Sequence, residues 1–200
     1  EYIGCLGITE PNAGSDAMGM TTRAVKVNDH YVINGSKAFI TNGTVADFML
    51  FYAKTDPARG SHGISAFYFL TDGVKGLTRE KINKWGMRSS PTALITFEEM
   101  ELPEESLIGG LNKGGAILTN GLFTERITLS GCCLGSQRAC LEMSLRYARE
   151  RVQFGKPISS FQFIQGKLAD MYTGYMASKW MAYSAAAYCD TLTNKAGGKG

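Results

Sequence analysis

The chain has 200 residues, 44% of them hydrophobic and 20% charged, with a formal net charge of +3. That is apolar material for one medium core or two small ones, and the scattered charges exclude a basic nucleic-acid arm. Five cysteines without a CxxC pair read as reduced thiols, and two isolated histidines, His30 and His62, argue against a zinc site, so no metal is expected.

In chain order, the first half reads as β structure. Thr22 to Val27 alternates until Asn28-Asp29 turns it, and Tyr31 to Ile33 resumes before Asn34-Gly35. Lys37 to Thr41 is a short strand ended by Asn42-Gly43. Phe48 to Tyr52 is a continuous apolar run suited to a strand covered on both faces. Ile64 to Leu70, Leu77 to Trp85 and Ala93 to Met100 follow, and Pro103 stops the series. Such a run of short strands argues for a β-barrel or sandwich.

The second half changes character. From Ala116 to Arg151 there is no proline and apolar residues recur at three and four. A loop from Gln153 to Ser160 leads to a second helical run, Phe161 to about Leu192, and the two helices read as an antiparallel pair. The fold class is therefore α+β: residues 1–110 as a β-domain, then 111–200 as the start of a helical bundle. Glycines cluster at the boundary, Leu107 to Lys113. The sequence opens inside a motif-like stretch and closes on Ala196 to Gly200, which reads as a loop, so a piece of a longer protein is expected. No apolar run of about 18 residues and no leader-like segment is present, which points to an intracellular protein, of cytoplasm or mitochondrial matrix, with no membrane span.

Gly7-Ile8-Thr9-Glu10-Pro11-Asn12-Ala13-Gly14-Ser15-Asp16 is the densest unusual stretch. Its small residues expose amides and hydroxyls suited to a phosphate or the edge of a heteroaromatic ring, although neither P-loop nor dinucleotide spacing is present. Glu125 shares a helix face with Leu118, Leu122, Leu129 and Cys132. A carboxylate on an apolar stripe must be paired, protonated or facing a cavity, and the adjacent Arg126 is one available partner.

Four segments together resemble the acyl-CoA dehydrogenase family. They are the stretch Gly7 to Asp16 with Gly19, then Lys37 to Gly43, then Trp85 to Ser90 with Phe97-Glu98 and Pro103, and finally Arg149 to Pro157 with Gln162. The resemblance runs the length of the chain. It implies FAD as cofactor, with Leu6, Ile8 and Thr9 along one side of the flavin ring and Gly14 and Ser15 beside it. Ser15 would also reach the coenzyme A moiety. Phe39, Ile40 and Thr41 would form a second wall, Thr41 near the reactive N5. Many relatives carry tryptophan at the place of Phe39, which covers a ring but lacks the indole N–H. Arg151, Phe154 and Gln162 would meet a flavin bound mainly by a neighbouring subunit.

The isovaleryl-CoA and long-chain types of the family carry their catalytic glutamate on this helix, directly before an arginine, as in Thr124-Glu125-Arg126. Other members place the base in a later segment. The implied reaction is α,β-dehydrogenation of an acyl-CoA thioester, Glu125 removing the α-proton while the β-hydrogen leaves as hydride to the flavin. Desolvation by substrate would make such a carboxylate a better base. Phe123 and Arg126 would line the acyl-CoA channel. Implied partners are the acyl-CoA substrate, an electron-transfer flavoprotein and further copies of the chain, as dimer or tetramer. An acyl-CoA oxidase, a flavin monooxygenase of the same superfamily and a non-catalytic relative are the competing expectations, and the 200 residues alone are expected to be inactive.

Overall fold

The computed structural model describes residues 1–197, with side chains through residue 192. The chain forms two compact units, one ending at Thr119 and one beginning at Asn120.

The first unit is built on strands β1 (Gly4–Gly7), β2 (Arg23–Val27), β3 (His30–Thr41), β4 (Phe48–Lys54), β5 (Ile64–Leu70), β6 (Leu77–Lys81), β7 (Thr92–Pro103) and β8 (Leu107–Ile108). They form one sheet in the order β6-β7-β3-β2-β4-β5-β8, with β1 added in parallel to β4. β5 takes one edge of β4 along its length. On the other edge β1 pairs with Phe48 to Phe51, and β2 takes over at Lys54.

Side chains show that this sheet curls over on itself. Phe51 on β4 lies 4.9 Å from Phe97 on β7, ring centre to ring centre, although β2 and β3 separate those strands in the sheet. Phe67 stacks on Phe51 at 5.5 Å and meets Tyr31 edge-on at 5.0 Å. Opposite stretches of one face of a single sheet thus enclose one aromatic core, the barrel-like arrangement expected for alternating short strands.

Local chemistry explains the turns. The β2–β3 hairpin pairs Val27 with His30 across Asn28-Asp29, and Asn28 adopts φ 54°, which asparagine tolerates. Asn42, at φ 62°, ends β3 before Gly43. Asn34-Gly35 was expected to be a turn between two strands, but β3 runs through it as one strand of 12 residues. A bulge absorbs the irregularity: Glu99 on β7 is left over between two pairings and takes φ 46°, while its N–H and carboxylate bond the Asn34 amide at 2.9 and 2.7 Å. Gly35, at φ 144°, packs where an added Cβ would sit 2.7 Å from Thr22 Cα.

The expected strand from Leu77 to Trp85 stops at Lys81. Its partner β7 starts at Thr92, so the last available pairing is Ile82 N–H to Thr92 O at 2.8 Å, and Trp85 projects fully exposed from the following loop. β1 and β8 are additional to the strands read from sequence; both are short and gain definition only by pairing with β4 and β5.

Helix α1 (Gly114–Glu150) begins on this unit. A polar latch sets its start, with Thr55 Oγ1 donating to Asn112 Oδ1 at 2.8 Å and Asn112 N–H donating to Ser65 Oγ at 2.8 Å. Gly114 then packs so tightly that an added Cβ would lie 2.5 Å from Ser65 C.

In the second unit α1 continues to Glu150, followed by a two-residue-loop hairpin of β9 (Val152–Gln153) and β10 (Lys156–Pro157), and then α2 (Gln162–Gly197). Ser136, Gln137 and Cys140 of α1 share a groove with Met171, Tyr175 and Ser178 of α2. Both sets lie a comparable distance from the connection, so the helices run antiparallel. Ala196 and Gly197, expected in a loop, are helical; residues 198–200 of that expected loop lie outside the described residues.

Candidate functional site

The first unit brings Leu6, Ile8, Thr9, Phe39 and Thr41 together. β1 and its extension lie against the second half of β3: Asn42 Nδ2 donates to Gly4 O at 3.4 Å, and Ala38 N–H donates to Thr9 O at 2.7 Å. Between these contacts Leu6 is 40% exposed and Ile8 and Thr9 are half-buried. Phe39 stands 69% exposed, and Thr41 is exposed on the same strand. Ile40 points the other way, into the core, so only its backbone is open to a ligand.

Phe39 owes its display to a second bulge. Lys37 pairs with Ile95 and Ile40 with Ala93, so one residue of β3 is surplus, and Phe39 takes φ 60° there. A left-handed backbone at an aromatic residue is strained, and such strain persists only where the surroundings hold it. The bulge also changes the phase of the strand. Tyr31, Ile33 and Lys37 face inward with period two, and after the bulge Ala38 and Ile40 do.

Those surroundings centre on a buried ion pair. Lys37 Nζ meets Glu10 Oε1 at 2.8 Å, with side-chain exposures of 0% and 2%. Glu10 also accepts from Thr21 N–H (2.6 Å), Thr21 Oγ1 (2.8 Å) and Thr22 N–H (3.0 Å), and Lys37 donates to Ile8 O at 3.2 Å. Burial alone would push the Glu10 carboxyl up, but the Lys37 charge and hydrogen bonds from Lys37, Thr22 and Thr21 outweigh it and hold it down at about 2. Burial pushes Lys37 below the usual lysine range, opposed by Glu10.

Past Glu10 the chain turns tightly, with paired hydrogen bonds between Glu10 and Ala13 at 3.0 and 3.1 Å, and Asp16 Oδ1 accepts from Gly19 N–H at 3.1 Å. Gly14 and Ser15 are exposed between those fixed points. An added Cβ at Gly14 meets nothing within 4 Å, so packing within the chain does not demand glycine there. Gly7 is different: a Cβ would press on Met49 and sit 3.0 Å from Phe51 Cβ and 3.3 Å from Lys37 Cγ.

An apolar rim of Leu6 and Phe39 interleaved with the Thr9 and Thr41 hydroxyls suits a flat ring with a polar edge, and an open Gly14-Ser15 segment suits a bulky anionic extension. Among the described residues no group of three His, Cys, Asp or Glu side chains could hold a metal ion.

In the second unit, Phe123, Glu125 and Arg126 lie within about one turn of α1. Phe123 is 48% exposed, and Glu125 and Arg126 are exposed. Glu125 makes no ion pair with Arg126. Nor is the expected stripe uniformly buried: Leu118 is 2% exposed, but Leu129 is 55% exposed and Cys132 is exposed. Arg151, Phe154 and Gln162 surround the β9–β10 hairpin. Phe154 and Gly155 take φ 51° and 75°, both positive as a tight two-residue hairpin requires, which leaves the Phe154 ring 93% exposed. Phe161 steadies it edge-on at 6.2 Å, with Lys156 Nζ 4.6 Å from the Phe161 ring centre.

Two domain models of one family match this chain, the acyl-CoA dehydrogenase middle domain over residues 5–100 and the acyl-CoA dehydrogenase C-terminal domain over residues 112–199. The chain belongs to the acyl-CoA dehydrogenase family. It is similar to mitochondrial isovaleryl-CoA dehydrogenase of Oryza sativa subsp. japonica, 46% identical over 95% of this chain and 46% of that protein. Among solved structures it is similar to glutaryl-coenzyme A dehydrogenase in complex with glutaryl-CoA, with TM-score 0.89 and 38% identity over 94% of this chain and 48% of the other. It is likewise similar to PigA with FAD and proline, with TM-score 0.90 and 36% identity over 95% of this chain and 50% of the other. The chain spans about half the length of the relatives it matches.

Sequence reasoning passed over Glu10 and Lys37 as functional positions, although both lie inside its motifs. One signal was available: Lys37 falls in the inward phase of the strand begun by Tyr31 and Ile33, and a buried lysine requires a partner.

Proposed function

We propose that the intact protein is an FAD-dependent acyl-CoA dehydrogenase that converts an acyl-CoA thioester to its trans-2-enoyl product and passes electrons to an electron-transfer flavoprotein. Residues 1–110 supply the flavin-facing and acyl-CoA-facing loops, and residues 111–200 open the helical bundle. The observation carrying this reading is the juxtaposition of Thr9 with the Phe39–Thr41 wall, held by the 2.7 Å bond from Ala38 N–H to Thr9 O, in a chain of this family.

In the proposed site Leu6, Ile8 and Phe39 cover the ring, with Ile40 contributing backbone, while Thr9 and Thr41 hydrogen-bond its polar edge. Gly14 and Ser15 leave room for phosphate-bearing parts of flavin and coenzyme A. Bound flavin supplies a two-electron acceptor. Glu125 takes the α-proton, and Phe123 and Arg126 line the acyl-CoA channel. The exposed carboxylate found here becomes a stronger base once a thioester excludes water from it. The exposed Arg151, Phe154 and Gln162 reach the flavin of a second copy, in a dimer or tetramer. No helix among the described residues is long and apolar enough to cross a membrane, and an intracellular location, cytoplasm or mitochondrial matrix, fits this chemistry.

Anaerobic titration of the FAD-loaded intact protein with straight-chain, branched and dicarboxylic acyl-CoA thioesters tests the reading. Bleaching of the flavin by at least one class is expected; no bleaching by any overturns it. Reoxidation by an electron-transfer flavoprotein, and slowly by oxygen, is expected; fast oxygen turnover would instead identify an oxidase.

A further inference from the structure

Two candidate walls for the flavin ring come from chain segments about thirty residues apart, and one buried ion pair joins them. Glu10 sits at the start of the loop that follows Thr9, and Lys37 immediately precedes the bulge that displays Phe39. Lys37 Nζ bonds both Glu10 Oε1 and Ile8 O, so it grips the loop on either side of Thr9. Thr9 O in turn accepts from Ala38 N–H, next to the strained residue. Glu10 is anchored from behind by Thr21 and Thr22, which lead directly into β2. Neither charge reaches solvent, so neither can itself touch a ligand.

We propose that Glu10 and Lys37 are positioning residues for the cofactor: they fix the Thr9 loop against the β3 bulge so that Thr9 and Phe39–Thr41 face a flavin ring at one spacing. This rests on the flavin reading above. A fully enclosed charge pair is a poor source of net stability compared with apolar packing, but its directional bonds specify one register between loop and strand. It also provides the overdetermined surroundings that a positive φ at Phe39 requires. The lowered Glu10 carboxyl agrees with a pair that stays charged near neutrality, whereas burial pulls the Lys37 amine the other way and its bond to Glu10 opposes that pull.

The test uses the intact protein with both charges removed at similar volume, Glu10→Gln with Lys37→Met. The expected result is a folded protein that binds FAD at least about tenfold more weakly, with a shifted flavin absorbance envelope. When saturated with FAD, its flavin should be reduced by acyl-CoA about a hundredfold more slowly, as for a displacement near 1 Å. Substrate dissociation constants should stay unchanged. Thr21→Val, which removes one exposed-side donor to Glu10, is the second variant and should move the same readouts in the same direction by a smaller factor. A lowered thermal midpoint with unchanged FAD affinity, spectrum and reduction rate would overturn the proposal, and the Thr21→Val result decides it should the double variant not fold. Failure of the unaltered protein to take up flavin would sink the cofactor reading and this proposal with it; uptake by the unaltered protein with no effect in the variants would sink the positioning role alone.

Discussion

Phe51 and Phe97 meet at a tilt across the interior of the first unit, ring centres 4.9 Å apart, from strands that share no hydrogen bond. That contact closes the curl of the sheet, and Phe51 also meets Phe67 and Phe69 at 5.5 and 5.7 Å. Phe51→Ala is expected to destabilise this unit by about 3–5 kcal/mol, the range for truncating a buried phenylalanine. Thermal unfolding of the intact protein followed by near-UV dichroism checks this; a loss within 1 kcal/mol would contradict it.

Gly7→Ala should be more harmful than Gly14→Ala. The first inserts a methyl against Met49 and Phe51 and beside Lys37, costing about 1–3 kcal/mol by overpacking, whereas the second meets nothing within the chain. If flavin or coenzyme A lies over Gly14, the second variant should weaken ligand binding at unchanged thermal midpoint. Paired melting and FAD-titration curves separate the two effects.

Acid should weaken the first unit through Glu10. Its folded carboxyl is held down at about 2 against an ordinary value of 4.5, so between those values the unfolded chain binds more protons. The contribution is therefore complete above about pH 4.5 and is lost as pH falls through 2. Urea midpoints measured from pH 5 to pH 2 should fall, and the slope should flatten in the Glu10→Gln, Lys37→Met protein.

Cys5 should resist alkylation in the native state. It is packed among Met49, Phe51 and other core residues, and burial pushes its thiol up to about 11, against the opposing charge of Arg79. Iodoacetamide labelling at pH 8 read by peptide mass spectrometry should modify Cys5 only after denaturant is added. Rapid native labelling would show that the β1–β4 pairing opens.

Glu125→Gln in the intact protein should slow flavin reduction by substrate by about a hundredfold or more, the usual scale for losing a general base. FAD binding and melting should barely change, because the carboxylate is exposed. Stopped-flow reduction at saturating acyl-CoA is the measurement, and an unaltered rate would place the base elsewhere.

Several features were legible along the chain because they depend on neighbours in sequence. Asn28-Asp29 and Asn42-Gly43 turn the backbone by their own conformational tolerance, and the uninterrupted three-four spacing set the two long helices. The motif order that marks the family is a one-dimensional property and was readable directly. Asn34-Gly35 misled for the opposite reason. The dipeptide permits a turn, but β7 supplied a partner strand on both sides of it, and a bulge through Glu99 satisfied the geometry at lower cost than breaking the sheet.

What only the tertiary structure decided is how distant groups meet. Alternation sends Lys37 inward, yet nothing local says that Glu10, 27 residues earlier, will be waiting there. Likewise, the periodicity that placed Glu125 on an apolar stripe could not report that Leu129 beside it would remain 55% exposed in this chain. Periodicity orders side chains around their own axis, whereas burial and charge pairing are set by which other surface arrives. The phenylalanine at position 39 shows both halves: sequence puts it in a motif of the family, and the bulge beside a buried ion pair turns its ring outward.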